Sequence, residues 1–170
     1  KTAEENAETY FELLPFAKDC GIKIATENMW NWDTEQGHAK KAACSDGEDF
    51  LKHILAVNDE NFVACVDIGH AEMKGLNTSA ESMIRTLGSH VAALHIHDND
   101  KFRDLHELPF TDKIDFGGIV KALKDVDYKG YFTLEADSYL KKEDGEKTIF
   151  EKVKNMASVA KRIEDEFLSL

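Results

Sequence analysis

Val91–Asp100 reads VAALHIHDND. An apolar run, Val91 to Leu94, passes directly into His95, His97, Asp98 and Asp100, side chains that bind cations and move protons. Three other segments follow the same plan. Lys23–Asn28 (KIATEN) ends in Glu27, Phe62–His70 (FVACVDIGH) reaches Asp67 and His70, and Gly130–Asp137 (GYFTLEAD) reaches Glu135. Each run lies between segments with helical periodicity. Such strand ends gather in space only if the strands are parallel neighbours in one sheet, with their carboxyl ends facing the same way.

Between the strands the helical signals are regular. Thr2 to Cys20 places Tyr10, Leu13, Leu14 and Ala17 at helical spacing behind an acidic first turn, and Gly21 ends it. Ile22 to Glu27 is the first predicted strand. A long polar loop, NMWNWDTEQGHAKKAACS, leads to a predicted capping box of Ser45 and Glu48 and a helix carrying Phe50, Leu51, Ile54 and Leu55. The second strand is Phe62 to Asp67. Thr78 and Glu81 repeat the capping signal before a helix with Met83, Ile84 and Leu87. The third strand is Val91 to His97, its loop running to about Asp115, which caps a helix of Ile119, Val120 and Leu123. The fourth strand is Tyr131 to Glu135. A last helix from about Glu143 carries Ile149, Phe150, Val153, Met156, Val159 and Ile163 on one face.

The expected fold is therefore α/β, with about four parallel strands and five helices joined by right-handed crossovers. Stepping back two residues from Glu27, Asp67, His95 and Glu135 gives Ala25, Cys65, Ala93 and Thr133, all small and on the ligand candidates' face. The opposite face carries Ile24, Thr26, Val66, Leu94, Ile96 and Leu134, suited to pack on helices. A narrow inner face and an apolar outer one fit a (β/α) barrel better than an open sheet.

Composition narrows the function. At 170 residues the chain can bury a core and reads as a single domain, residues 1–170. A formal charge of −12 disfavours nucleic acid as a partner. No apolar run is long enough to cross a bilayer, so no membrane partner and a cytoplasmic location are expected. The 3 cysteines, Cys20, Cys44 and Cys65, show no CxxC spacing, and Cys20 and Cys65 are expected to be buried thiols. There is no GxSxG, phosphate-cradling glycine loop or HExxH.

Glu27, Asp67, His95 and Glu135 offer three carboxylates and one imidazole. This donor set suits Mn2+, Mg2+, Co2+ or Zn2+ and does not separate them. One acid at a strand end is ordinarily a solvated loop residue. Four candidates, one per strand and all at carboxyl ends, point to a site, because that rim of a parallel barrel is where catalytic groups sit. His70, just past the second strand, has three readings: a ligand to a second metal, a hydrogen-bonding partner of a substrate hydroxyl, or a histidine that orients a ligand. His97 is expected to face the mouth and Asp98 to position the loop. Asp104 and His106 form a DxH pair that is either a further metal or substrate contact or a plain surface pair. Trp30 and Trp32 either line a sugar site or pack over the mouth.

On ATENMWN, VDIGHA, LHIHDND, DLHELPFTDKIDF and GYFTLEA, in that order along nearly the whole chain, the sequence resembles the sugar phosphate isomerase/epimerase proteins of the xylose isomerase-like TIM barrel superfamily. The resemblance implies a divalent-metal-dependent isomerase or epimerase acting on a small carbohydrate, a sugar or sugar phosphate. One divalent metal ion would be held by Glu27, Asp67, His95 and Glu135. In the ketose 3-epimerases of this group the two metal-bound glutamates are also the acid/base pair, so Glu27 and Glu135 would move a proton on opposite faces of a ketose carbon. The metal would polarise the carbonyl and stabilise the enediolate. His70, His97, Asp104, His106 and Trp30 would be substrate contacts.

Two departures from the family pattern accompany this. The chain resembles only strands five to eight of the family barrel, so the N-terminal half is expected to be missing, along with the substrate walls it supplies. The glycine-rich turn usual before IDF is PFTDK here. A half-barrel leaves two edges unpaired, and a homo-oligomer joined through those edges is a further expectation. An abasic-site endonuclease with several zinc ions shares the superfamily fold and is the alternative activity. A non-catalytic binding fragment is the third.

Overall fold

The parallel core is built as its apolar runs require. The computed structural model describes residues 2–143, 145 and 147–170. Helix α1 (Ala3–Asp19) starts at a capping box of Thr2 and Glu5 and ends where Gly21 takes a φ of +65°. Strands β1 (Ile24–Glu27), β4 (Phe62–Asp67) and β5 (Val91–His95) form a parallel sheet in the order β1-β4-β5. Helices α2 (Gly47–Val57), α4 (Ala80–Leu87) and α5 (Phe116–Asp125) carry the returns, and α7 (Ile149–Ser169) closes the chain. The sheet is not closed.

Register fixes which side chains meet. Glu27 lies opposite Cys65, while Asp67 lies opposite His95. The strand ends thus climb by two residues from β1 to β4, and two is the side-chain period of a strand, so all these residues stay on one face.

The core lies on the other face. Phe62, Ala64, Val66, Leu94 and Ile96 pack against Phe50, Ile54, Met83, Ile84, Leu87, Ile119, Leu123 and Ile163 from the helices. Thr26 points the same way and meets the Tyr10 hydroxyl at 3.1 Å. On the ligand-bearing face Ala25 and Thr133 are exposed.

Several expectations are corrected. Tyr131 to Glu135 is not a full strand. It keeps one parallel bridge, Leu134 with Ile96, through the Ile96 N–H to Thr133 O and the Glu135 N–H to Ile96 O, both 2.9 Å. No strand flanks it on the far side among the described residues, so nothing extends the pairing. Likewise β5 stops at His95 rather than His97. The described residues hold seven helices, not five; the additional ones are the short α3 (Ile68–Ala71) and α6 (Asp137–Lys141).

The loop after β1 contains a hairpin, β2 (Trp30–Asp33) paired antiparallel with β3 (His38–Lys41). Its turn is held by the Asp33 carboxylate, which accepts from the Glu35 and Gln36 amides. Trp30 packs with Ala39, Met73 and Leu76 in a small separate cluster. Helix α2 is capped by Asp46, not Ser45, and α4 by Ser79, not Thr78. Asp115 caps α5 as expected. The last helix begins at Ile149 after a Thr148–Glu151 capping box; of the stretch expected to be helical from Glu143, Asp144 and Glu146 lie outside the described residues. Cys65 is buried, but Cys20 is exposed at the end of α1.

Candidate metal centre

Three strand ends and the bridged segment before Glu135 deliver one cluster. One ligand atom from each of Glu27, Asp67, His95 and Glu135 lies within 4.8 Å of every other. His95 Nδ1 stands between the two glutamates, 3.3 Å from Glu27 Oε1 and 3.1 Å from Glu135 Oε2. Asp67 is fully buried, while Glu27, His95 and Glu135 are part exposed. Cys65, one strand period below Asp67, carries a thiol that burial pushes up to about 12, the charges of Glu27, Asp67 and Glu135 adding to the effect.

The donor atoms fit a divalent cation. Asp67 Oδ2 and His95 Nδ1 are both buried with no hydrogen-bond partner. Buried polar atoms without a hydrogen bond are costly, and Asp67 Oδ2 here converges with the other three side chains. Three carboxylates and one imidazole suit Mn2+, Mg2+, Co2+ or Zn2+.

Around Asp67 the support is dense. Asn28, 1% exposed, makes a reciprocal pair with the Asp67 backbone: its Nδ2 donates to the Asp67 carbonyl at 2.9 Å and its Oδ1 accepts the Asp67 amide at 2.8 Å. Sequence reading quoted Asn28 within its motif without giving it a role; its place directly after Glu27 was the available signal. Asp98 is buried and accepts four backbone amides, from Asn99, Thr111, Asp112 and Ile114. It gathers the long loop after β5, as expected of it. Asn99 is buried too and donates to the Gly69 carbonyl.

His70, His97, Asp104 and His106 form a second group, with ligand atoms also within 4.8 Å of one another. The DxH pair is therefore not a plain surface pair. His70 Nε2 donates to Asp104 Oδ2 at 3.1 Å and Nδ1 to the Asn28 carbonyl at 3.0 Å. Burial opposes a proton on His70, but the Asp104 hydrogen bond and the charges of Asp67 and Asp104 outweigh it and lift the imidazole to about 9. Asp104 is held below the usual carboxylate range: its own burial is overcome by its bond to His70 and the neighbouring imidazoles. His106 Nδ1 donates to the Glu135 carbonyl at 2.9 Å, and its backbone takes a φ of +48°.

The expected substrate contacts separate into two kinds. His97 is completely buried and His70 nearly so, so neither presents an open face to the mouth. Both rings are enclosed by their partners, Asn28 and Asp104 at His70 and Asp67 and His106 at His97, which strand alternation does not reveal. Asp104, His106 and Trp30 are half-buried and border the cluster; Trp30 stands edge-on to His70, 6.4 Å between ring centroids. Trp32 is exposed on the hairpin.

Parallel strands whose carboxyl ends converge in acids and imidazoles define part of a (β/α) barrel with a ligand-rich rim. The chain belongs to the xylose isomerase-like TIM barrel family, whose sequence profile matches residues 2–159. It is 28% identical to the uncharacterized protein MJ1311 of Methanocaldococcus jannaschii over 132 residues, 78% of this chain and 43% of that protein. Among solved structures, D-psicose 3-epimerase from Clostridium cellulolyticum H10, crystallised with D-tagatose, superposes with a TM-score of 0.74 at 16% identity, covering 95% of this chain and 56% of that one. A D-tagatose 3-epimerase-like protein gives 0.61 at 24% identity over 94% and 56%. The chain thus spans about half the length of these relatives, between 43% and 56%. Among the described residues no helix is long and apolar enough to cross a membrane.

Proposed function

We propose that this chain carries the metal-binding half of a divalent-metal-dependent isomerase or epimerase of a small sugar or sugar phosphate. The observation that carries the proposal is the convergence of Glu27, Asp67, His95 and Glu135, with Asp67 Oδ2 buried and without a hydrogen-bond partner. Those four residues would hold the cation. A divalent ion bound there supplies Lewis-acid polarisation of a substrate carbonyl.

The chain's own residues account for the proton transfer. Glu27 and Glu135 both stand beside His95 Nδ1, at 3.3 and 3.1 Å, which supports a base and an acid acting on one bound carbon. One carboxylate takes the proton from the carbon beside the carbonyl, and the C–H electron pair moves toward the carbonyl. The other glutamic acid returns a proton to the opposite face. Asn28 holds the Asp67 backbone and Asp98 holds the loop that carries Asp104 and His106.

In this proposal the chain is strands five to eight of the barrel, and the first four strands supply the remaining substrate walls. The 43% to 56% coverage of its relatives supports that arrangement. The test is wash-in of solvent deuterium beside the carbonyl of a ketose panel, catalysed by the full-length protein. Wash-in is expected with at least one ketose and is abolished by Glu27→Gln or Glu135→Gln; no wash-in across the panel contradicts the proton-transfer reading.

The second group, His70, His97, Asp104 and His106, favours one other reading, an abasic-site endonuclease with several zinc ions. The charge of −12 weighs against a phosphate backbone as substrate. Nicking of abasic DNA by the full-length protein would support it over the isomerase.

A further inference from the structure

One ring in the site is beyond the reach of any substrate. His97 is 0% exposed, yet its Nε2 lies 3.1 Å from Asp67 Oδ1. The ring is held from several directions. It stacks on His106 at 4.1 Å with 5° between the planes. Its Nε2 stands 3.6 Å from Asp104 Oδ1. It also fills the space above Gly69, where an added Cβ would fall 1.9 Å from His97 Cε1. A ring so enclosed has one orientation.

Asp67 shows what that orientation does. Oδ1 accepts the His70 backbone amide at 2.7 Å and faces His97 Nε2, while Oδ2 is buried without a partner. One oxygen is anchored and the other is left available. The terminal torsion of an aspartate is broad, so an aspartate held by a single amide turns easily. A second donor on Oδ1 stops that rotation. The proton on His97 belongs on Nε2, because that nitrogen faces two carboxylate oxygens, and a bare lone pair there would repel both.

We propose that His97 is a positioning residue: its Nε2–H donates to Asp67 Oδ1 and so aims Oδ2 at the cation held by Glu27, Asp67, His95 and Glu135. The inference rests on the cation reading above. It excludes ligation of a cation through His97 Nε2, since a ligating nitrogen must be bare. Partners of this kind, which hold a ligating carboxylate or imidazole, typically govern metal affinity by roughly 10–100-fold.

The experiment titrates Mn2+ into the full chain by calorimetry. His97→Met fills the ring's place without a donor and is expected to weaken binding by roughly 10–100-fold. His97→Gln restores an N–H at similar reach and is expected to recover most of the affinity, which a purely space-filling role would not produce. Asp67→Asn is expected to lose at least as much as His97→Met. Wild-type affinity in His97→Met together with weak binding by Asp67→Asn overturns the role of His97 alone. Wild-type affinity in Asp67→Asn overturns the cation reading, and this inference with it.

A second measurement needs no variant. Long-range proton–nitrogen NMR of the histidine side chains is expected to show His97 protonated on Nε2 both before and after Zn2+ is added. Loss of that proton on Zn2+ addition, with the shift of a metal-bound nitrogen, overturns the proposal.

Discussion

Asp98 sits three residues beyond the rim candidate His95 and does a different job from its neighbours. Buried with four backbone amides around it, it is the hub of the loop that carries Asp104 and His106. Hydrogen bonds to a charged acceptor contribute about 1.5–3 kcal/mol each, and a donor left buried and unpaired costs about 1–3 kcal/mol. Asp98→Ala is therefore expected to destabilise the fold by about 3 kcal/mol or more, read as a lower urea midpoint at unchanged slope. Asn28→Ala removes the clamp on the Asp67 backbone and is expected to cost about 1–3 kcal/mol in the same assay. The four rim candidates were legible because each closes an apolar run, and the loop-holding role of Asp98 because it follows them. The burial of His70 and His97 was not legible. Alternation along a strand says which face a residue leaves from, not what Gly69, His106 and Asp104 do to its ring beyond the strand end.

At the scale of elements, periodicity located the helices and the three paired strands, but their ends depended on local hydrogen bonding. Ser45 and Asp46 are adjacent and both are good N-caps on composition, yet Asp46 accepts the Asp49 amide while Ser45 Oγ is buried without a partner. Asp46→Ala is accordingly expected to lower stability by about 1 kcal/mol. Ser45→Ala is expected to be close to neutral in the same thermal unfolding series. The reverse ranking would return the cap to Ser45. The hairpin β2–β3 was hidden because its strands are mostly polar, with only Trp30 and Ala39 joining the small cluster on Met73 and Leu76. Gly69 ties an element to the site: in the short helix α3 it leaves room for the His97 ring, so Gly69→Ala must displace one or the other. It is expected to weaken Mn2+ binding as His97→Met does, although it touches no ligand.

For the molecule as a whole, β4 is buried along its length on both faces, and the inner face of the sheet is exposed toward its flanks. Thr133 and Ala25 are exposed along that inner face, Tyr131 is 89% exposed near one edge, and Phe11, Phe16 and Phe150 are exposed on the flanking helices. Unpaired strand edges with apolar neighbours invite partners. Association of chains through these edges is our expectation for the isolated chain, and a single monomeric species in sedimentation velocity across a wide concentration range would contradict it. All functional statements depend on one cation, and an Mn2+-soaked crystal measured at an energy sensitive to manganese locates it most directly. The account predicts an anomalous peak bounded by Glu27, Asp67, His95 and Glu135 that vanishes in His95→Ala. An absent peak, or manganese bound only elsewhere, would contradict it.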